Sequence, residues 1–256
     1  MTHQIATIAR YTLLEAVRTR LPHVTAAVVV LLAVASAFIG AIAITEAGRM
    51  QLGVYAATVR VAAVFIAAMH VLGSMTREFN DKGLDMALAL DLPRSHYMLG
   101  KLAGFLLAGI AIAALAATPL AVIAPAELAL KWGLSLGLEI GIVMALALFC
   151  TVTFRQPLAA ASFVVAFYLL ARTLTAIRLM SAHPVVGVDS PVHHASQLLA
   201  EGLALVIPAL DGWTRTAWLV SEPPAWSALA ALLGQSLLYI ALLAAAAMFD
   251  FYRRNF

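Results

Sequence analysis

Residues 102–123 read LAGFLLAGIAIAALAATPLAVI, twenty-two positions without one ionisable side chain. A bilayer core of roughly 30 Å is crossed by about 20 apolar residues in a helix, because lipid offers no partner for an open backbone. Working outward from this run, five more apolar runs of similar length appear: Val24–Ile44, Val54–Met75, Gly133–Val152, Leu158–Ile177 and Ser227–Met248. None alternates polar and apolar residues as a barrel strand of an outer membrane does. The expectation is an all-α polytopic membrane protein with six transmembrane helices, one transmembrane domain spanning residues 1–256.

Composition agrees with this reading. Hydrophobic residues make up 63% of the 256 positions and charged residues 11%, with a mean hydropathy of +0.96. A soluble domain is nearer half apolar and a quarter charged. The single cysteine, Cys150, lies in an apolar run, which excludes a disulfide scaffold. The net charge is only +3 with no dense Lys/Arg cluster, so nucleic-acid binding finds no support.

Basic residues set the expected orientation. One set of connections carries Arg10, Arg18, Arg20, Arg77, Lys82, Arg94, Lys101, Arg155, Arg253 and Arg254, whereas the opposite set carries Arg49, Lys131, Arg178 and Arg215. The richer set belongs in the cytoplasm, so both termini are expected there. The N-terminus does not read as a cleavable signal, since mixed residues precede a first apolar run too long for one. Residues 4–21 instead predict an amphipathic interfacial helix (residues 1–22 with its flanks) ended by Pro22. Ile5, Ala9, Leu13, Leu14, Ala16 and Val17 fall on one half of the wheel, and Gln4, Thr7, Glu15 and Arg18 on the other. Arg10 and Arg20 interrupt the apolar half, where long basic side chains snorkel to headgroups. A plain basic leader anchoring the first span is the alternative.

The connection from Thr76 to Lys101, TREFNDKGLDMALALDLPRSHYMLGK, concentrates charge in a chain that otherwise avoids it. Phe79, Gly83, Met86 and Leu90 recur at helical spacing, and Glu78 with Lys82 forms a favourable i,i+4 pair. Leu84, Leu88 and Leu92 make a second apolar stripe, and Leu92-Pro93 stops the helix. Two stripes suit two contacts, one with the ends of the membrane helices and one with a partner protein. A solvated basic tether is the simpler alternative.

This segment resembles the permease subunits of ABC type-2 exporters. The resemblance rests on Glu78, Asp81, Lys82, Gly83 and Leu84, then Leu88, Leu90, Leu92, Pro93, Arg94 and Ser95, then Leu99, Gly100 and Lys101. The N-terminal Ile8-Ala9-Arg10, Glu15 and Arg18-Thr19-Arg20 are similar to that family's amphipathic connecting helix. Phe249 and Tyr252-Arg253-Arg254-Asn255-Phe256 are similar to its basic ending. Asp91 departs from the family, which more often has a small or neutral residue there. The resemblance implies one transmembrane half of an ATP-driven exporter, paired with a second copy or a sister permease. It also implies a separate ATP-binding-cassette ATPase docked on the coupling helix in the 76–101 loop, through Glu78, Phe79, Lys82, Gly83, Met86 and Leu90. No G-x-x-x-x-G-K-[ST] occurs in the chain. ATP and Mg are therefore expected on the partner, with no cofactor, metal or catalytic residue on this chain and no enzyme activity of its own.

Arg60, Glu139 and Arg172 stand inside predicted spans, where ionisable groups are costly and face protein or water. At about 1.5 Å per residue, all three lie roughly 8–10 Å below the outer boundary. The expectation is that Glu139 pairs with Arg60 or Arg172 in the outer half of the bundle, leaving one positive charge for an anionic group on the cargo or a lipid. The alternative has both arginines snorkelling outward. His70, near the cytoplasmic end of its span, reads as a packing residue.

The outer connection, residues 178–226, predicts short interfacial helices. His194 to Ile207 is helical in pattern, Pro208 ends it, and Trp213, Trp218 and Trp226 are spaced as an interfacial belt. The same resemblance implies that this segment caps a translocation path. His183, Asp189, His193 and His194 match no metal-ligand spacing. No H-E-x-x-H, G-x-S-x-G or Cys/His nucleophile pair appears either. The rival to an export permease is a non-transporting membrane scaffold that docks a cytoplasmic partner through the same loop. The residues do not select a cargo.

Overall fold

The computed structural model describes residues 2–81, 93–154, 156–182, 191–220 and 223–253. In chain order the helices are α1 (Thr2–Arg18), α2 (Leu21–Ile42), α3 (Ala47–Asn80), α4 (Arg94–Ile123), α5 (Ala126–Thr153), α6 (Pro157–Ala182), α7 (Pro191–Val206), α8 (Ala217–Val220) and α9 (Trp226–Arg253). A 3-10 turn, Leu210–Gly212, precedes α8. Six of the helices, α2 to α6 and α9, are long and apolar enough to cross a membrane. Among the described residues no strand occurs, so the chain is an all-α bundle of multi-pass character.

Proline marks the joints. Pro93 and Pro125 cap α4 and α5, Pro157 and Pro191 open α6 and α7, and Pro22 sits in the first turn of α2. A proline lacks only an N–H that the first turn leaves free anyway, whereas its ring collides with a carbonyl inside a continuing helix. Here the structure differs from the expected end of the first helix at Pro22. The break comes earlier, at Arg20, which adopts a left-handed φ of 61°, so that Pro22 starts the next helix instead of ending the last.

α5 is the axis of the bundle. It packs against α3, α4, α6 and α9, and 78% of its apolar window is buried, against 17% for α9 and 22% for α2. The outer helices turn Leu31, Val34 and Phe38 of α2 and Leu233, Leu237 and Leu242 of α9 outward. Large apolar side chains facing away from the protein are what a lipid solvent accepts. Small residues such as Ala56, Ala63 and Ala67 of α3 let the backbones approach inside.

α1 lies against α4 and buries Ala9, Thr12 and Ala16. The approach is close because α4 presents Gly100 and Gly104 to it. A Cβ on Gly104 would stand 2.5 Å from Cβ of Thr12 and 2.8 Å from the carbonyl of Ala9. The predicted apolar half of α1 is thus divided: one edge docks on α4, while Leu14 and Val17 face outward.

Candidate functional site

Polar side chains gather at the two ends of the bundle, and α3 reaches both. At the end where the 3-10 turn and α8 lie, the segment Leu210–Thr214 folds in against the spans, with Leu210, Trp213 and Thr214 buried. The amides of Leu210, Gly212 and Trp213 bond to nearby backbone carbonyls, which leaves the Thr214 N–H and the carbonyls of Trp213 and Thr214 to side chains from the spans. Arg60 of α3 donates from Nη1 to the carbonyl of Thr214 at 2.9 Å. Arg172 of α6 donates from Nη1 to the carbonyls of Leu210 and Trp213, the latter at 3.0 Å. The N–H of Thr214 donates to Oγ of Ser135 on α5 at 2.9 Å, and the Trp213 indole donates to Oγ of Ser236 on α9 at 2.9 Å. Four of the six long helices therefore hold one short segment.

Glu139 of α5 lies fully buried beside this clamp. Its Oε1 accepts from the Tyr168 hydroxyl at 3.0 Å and pairs with Nη1 of Arg172 at 3.5 Å. Of the two pairings expected for Glu139, the structure forms the one with Arg172, and Arg60 goes instead to the Thr214 carbonyl. Two guanidiniums thus face one carboxyl, and the peptide carbonyls of the clamped segment answer the excess positive charge. Oε2 of Glu139, Oγ1 of Thr214 and Nε of Arg60 are buried without a hydrogen bond of ordinary geometry. Thr214 also holds a left-handed φ of 47°, a conformation costing a β-branched residue on the order of 1–3 kcal/mol. Contacts at both its N–H and its carbonyl keep it there.

Lys131 and Arg215, grouped on sequence with one set of connections, also lie at this end. Lys131 is buried, pairs with Glu127 at 2.6 Å and donates to the carbonyl of Pro224 at 2.9 Å. His183 and Asp189 lie outside the described residues, as do the side chains of His193 and His194 on α7. Among the described residues no group of three metal-ligating side chains comes together.

At the opposite end, Glu15 of α1, Ser74, Arg77 and Glu78 of α3 and Lys101 of α4 form one network. Ser74 donates to Oε1 of Glu15 at 2.7 Å, and Arg77 reaches the same oxygen at 3.3 Å. Lys101, almost fully buried, pairs with Oε2 of Glu78 at 2.5 Å and with Oε2 of Glu15 at 3.7 Å. Burial pushes the Glu15 carboxyl up, but the Ser74 hydroxyl, Lys101 and Arg77 together outweigh it and hold it below its ordinary range. His70 packs its ring edge-on to Phe105, with centroids 5.8 Å apart, and its Nε2 has no partner.

Of the six residues expected to dock a partner, Glu78 and Phe79 close α3, with Glu78 engaged by Lys101. Phe79 is half-buried beside Thr151, Phe154 and Ala160. Lys82, Gly83, Met86 and Leu90 lie outside the described residues. The flanking helices reach further into the connection than their apolar runs do, α3 running to Asn80 and α4 opening at Arg94, and the helix expected over residues 79–92 lies beyond Asp81 outside the described residues. Sequence reasoning missed Tyr168, Ser135 and Thr214. Tyr168 was within reach of it, standing four residues before Arg172 on the same helix face.

The fold and the site define an all-α chain with six helices able to cross a membrane, carrying a clamped segment at one end and a salt-bridged network at the other. The chain matches no known protein-family model, and comparison with curated proteins returns no match.

Proposed function

We propose that the chain is the transmembrane permease subunit of an ATP-binding-cassette exporter in a bacterial inner membrane. A separate ATPase hydrolyses ATP, and the permease, paired with a second copy or a sister subunit, moves a cargo outward. In this reading both termini and the 81–93 connection are cytoplasmic, in keeping with the excess of basic residues on that side. Leu210–Thr214 closes the outward end.

One observation carries the proposal beyond the resemblance of residues 76–101. α3 is a single helix of 34 residues that ends at the proposed docking connection and, through Arg60, grips the clamped segment at the other end. A push on residues 78–92 by the closing ATPase moves α3 as a rigid element. It acts first on the Glu78–Lys101 and Arg77–Glu15 contacts and then on the hydrogen bond between Arg60 and Thr214. Loss of that bond loosens the segment that closes the bundle.

The test is affinity purification of the tagged full chain in mild detergent, beside a Phe79→Ala, Met86→Ala, Leu90→Ala variant. Glu78 is left intact, because its removal would also strand the buried Lys101. An ATPase subunit that co-purifies with the native chain and is lost from the folded variant is the expected result. A folded native chain that never brings an ATPase overturns the proposal and favours a membrane scaffold.

A further inference from the structure

Between α2 and α3, at the end where α1 packs, a groove of about 330 Å³ opens on the side of the bundle. Its lining changes character along its length. Thr19 and Arg77 stand at the mouth, His70 lies about two turns deeper along α3, and Val24, Phe65 and Met69 form the apolar walls. The mouth is electropositive. Arg77 is more than half exposed and gives Glu15 only its Nη2. Arg18 and Arg20, on either side of Thr19, are exposed and have no ion pair among the described residues. Against these and Lys101 stand Glu15, Glu78 and the exposed Asp81, the first two already held within the protein network.

A second observation is independent of charge. His70 is about nine-tenths buried, lines the groove, and keeps Nε2 without a hydrogen-bond partner. A buried polar atom with no partner costs stability unless a ligand or water supplies one. The combination is cationic at the mouth, polar partway in and apolar at depth, on the flank of helices able to span a bilayer. It matches a molecule with an anionic head and a hydrocarbon chain. A free phosphate would meet Arg77 but leave the apolar walls uncovered.

We propose that this groove holds one anionic phospholipid from the leaflet bordering α1, its phosphate against Arg77 and an acyl chain along Val24, Phe65 and Met69. The site depends on membrane embedding and not on transport, so it stands or falls separately from the permease reading. Basic recesses between membrane helices select anionic headgroups in this way.

The purified full chain is titrated in mild detergent with phosphatidylglycerol and with phosphatidylcholine of the same chains, the first binding step being read by native mass spectrometry. Inorganic phosphate is added as a competitor in a third arm. Phosphatidylglycerol is expected to bind about fivefold more tightly than phosphatidylcholine, as one basic residue facing an anionic headgroup would predict. Arg77→Gln and Gly73→Leu should each abolish the difference, and phosphate should not displace the lipid. Gly73→Leu keeps every charge and has room, since a Cβ there meets nothing nearer than Nη1 of Arg77 at 4.0 Å. It decides the matter if Arg77→Gln does not fold. Equal affinity for the two lipids in the native chain, a preference that survives Gly73→Leu, or displacement by inorganic phosphate would each overturn the proposal.

Discussion

Glu139 has no exposed surface and answers both the Tyr168 hydroxyl and Arg172, so its charge is felt by the whole clamp. Glu139→Gln keeps the shape and removes the charge. It leaves Arg60 and Arg172 facing each other with only carbonyls to hold them, and should cost roughly 1.5–3 kcal/mol, the range of a hydrogen bond to a charged group. The check is thermal unfolding in detergent. An unchanged midpoint together with unchanged activity would show that the carboxylate is dispensable. Glu15 behaves differently because it lies outside the long helices and its carboxyl is held below the ordinary range. A depressed pKa in the folded state means that the stabilisation is complete above the ordinary glutamate value of about 4.3. It is lost as pH falls through the lower folded value. The protection of amides in residues 2–18, their exchange relative to the intrinsic rate at each pH, should therefore hold down to mildly acidic pH and fall below it. Glu15→Gln should exchange faster throughout and lack the acid-dependent part.

At the scale of elements, the contact most sensitive to a single methyl group is that between α1 and α4. Gly104→Ala puts a carbon within 2.8 Å of the Ala9 backbone carbonyl, which cannot turn aside as a side chain can. Overpacking of this kind costs about 1–3 kcal/mol. The expected outcome is displacement of α1, seen as faster amide exchange in residues 2–18 with the amides of α5 still protected. Equal exchange in both helices would mean that the damage is global. The helices themselves were largely legible in the sequence, because long apolar runs and prolines at their joints both act through local chemistry. Their ends were less so. α3 begins at Ala47, seven residues before the apolar run at Val54, since Gly48, Arg49 and Gln51 extend a hydrogen-bonded helix without adding hydropathy. Hydropathy records what lipid accepts, whereas a helix ends where its backbone bonds stop.

At the scale of the whole molecule, the charged half of the site was legible and its partners were not. Arg60, Glu139 and Arg172 declared themselves by being costly in apolar surroundings. The groups that meet the arginines are mostly peptide carbonyls of Leu210, Trp213 and Thr214, which every residue possesses and no composition reveals. The same holds for Lys101, which read as one more basic residue of a connection but sits buried between two carboxylates. The length of α3 has one more consequence. Arg60 and Ser74 are fourteen positions apart, close to four full turns, and each must meet its partner at once. A helix of this kind is a torsional ruler. Each residue inserted between them turns one contact by about 100° relative to the other. A single added alanine would therefore throw the two ends of the molecule out of phase, although every residue of both clusters is still present.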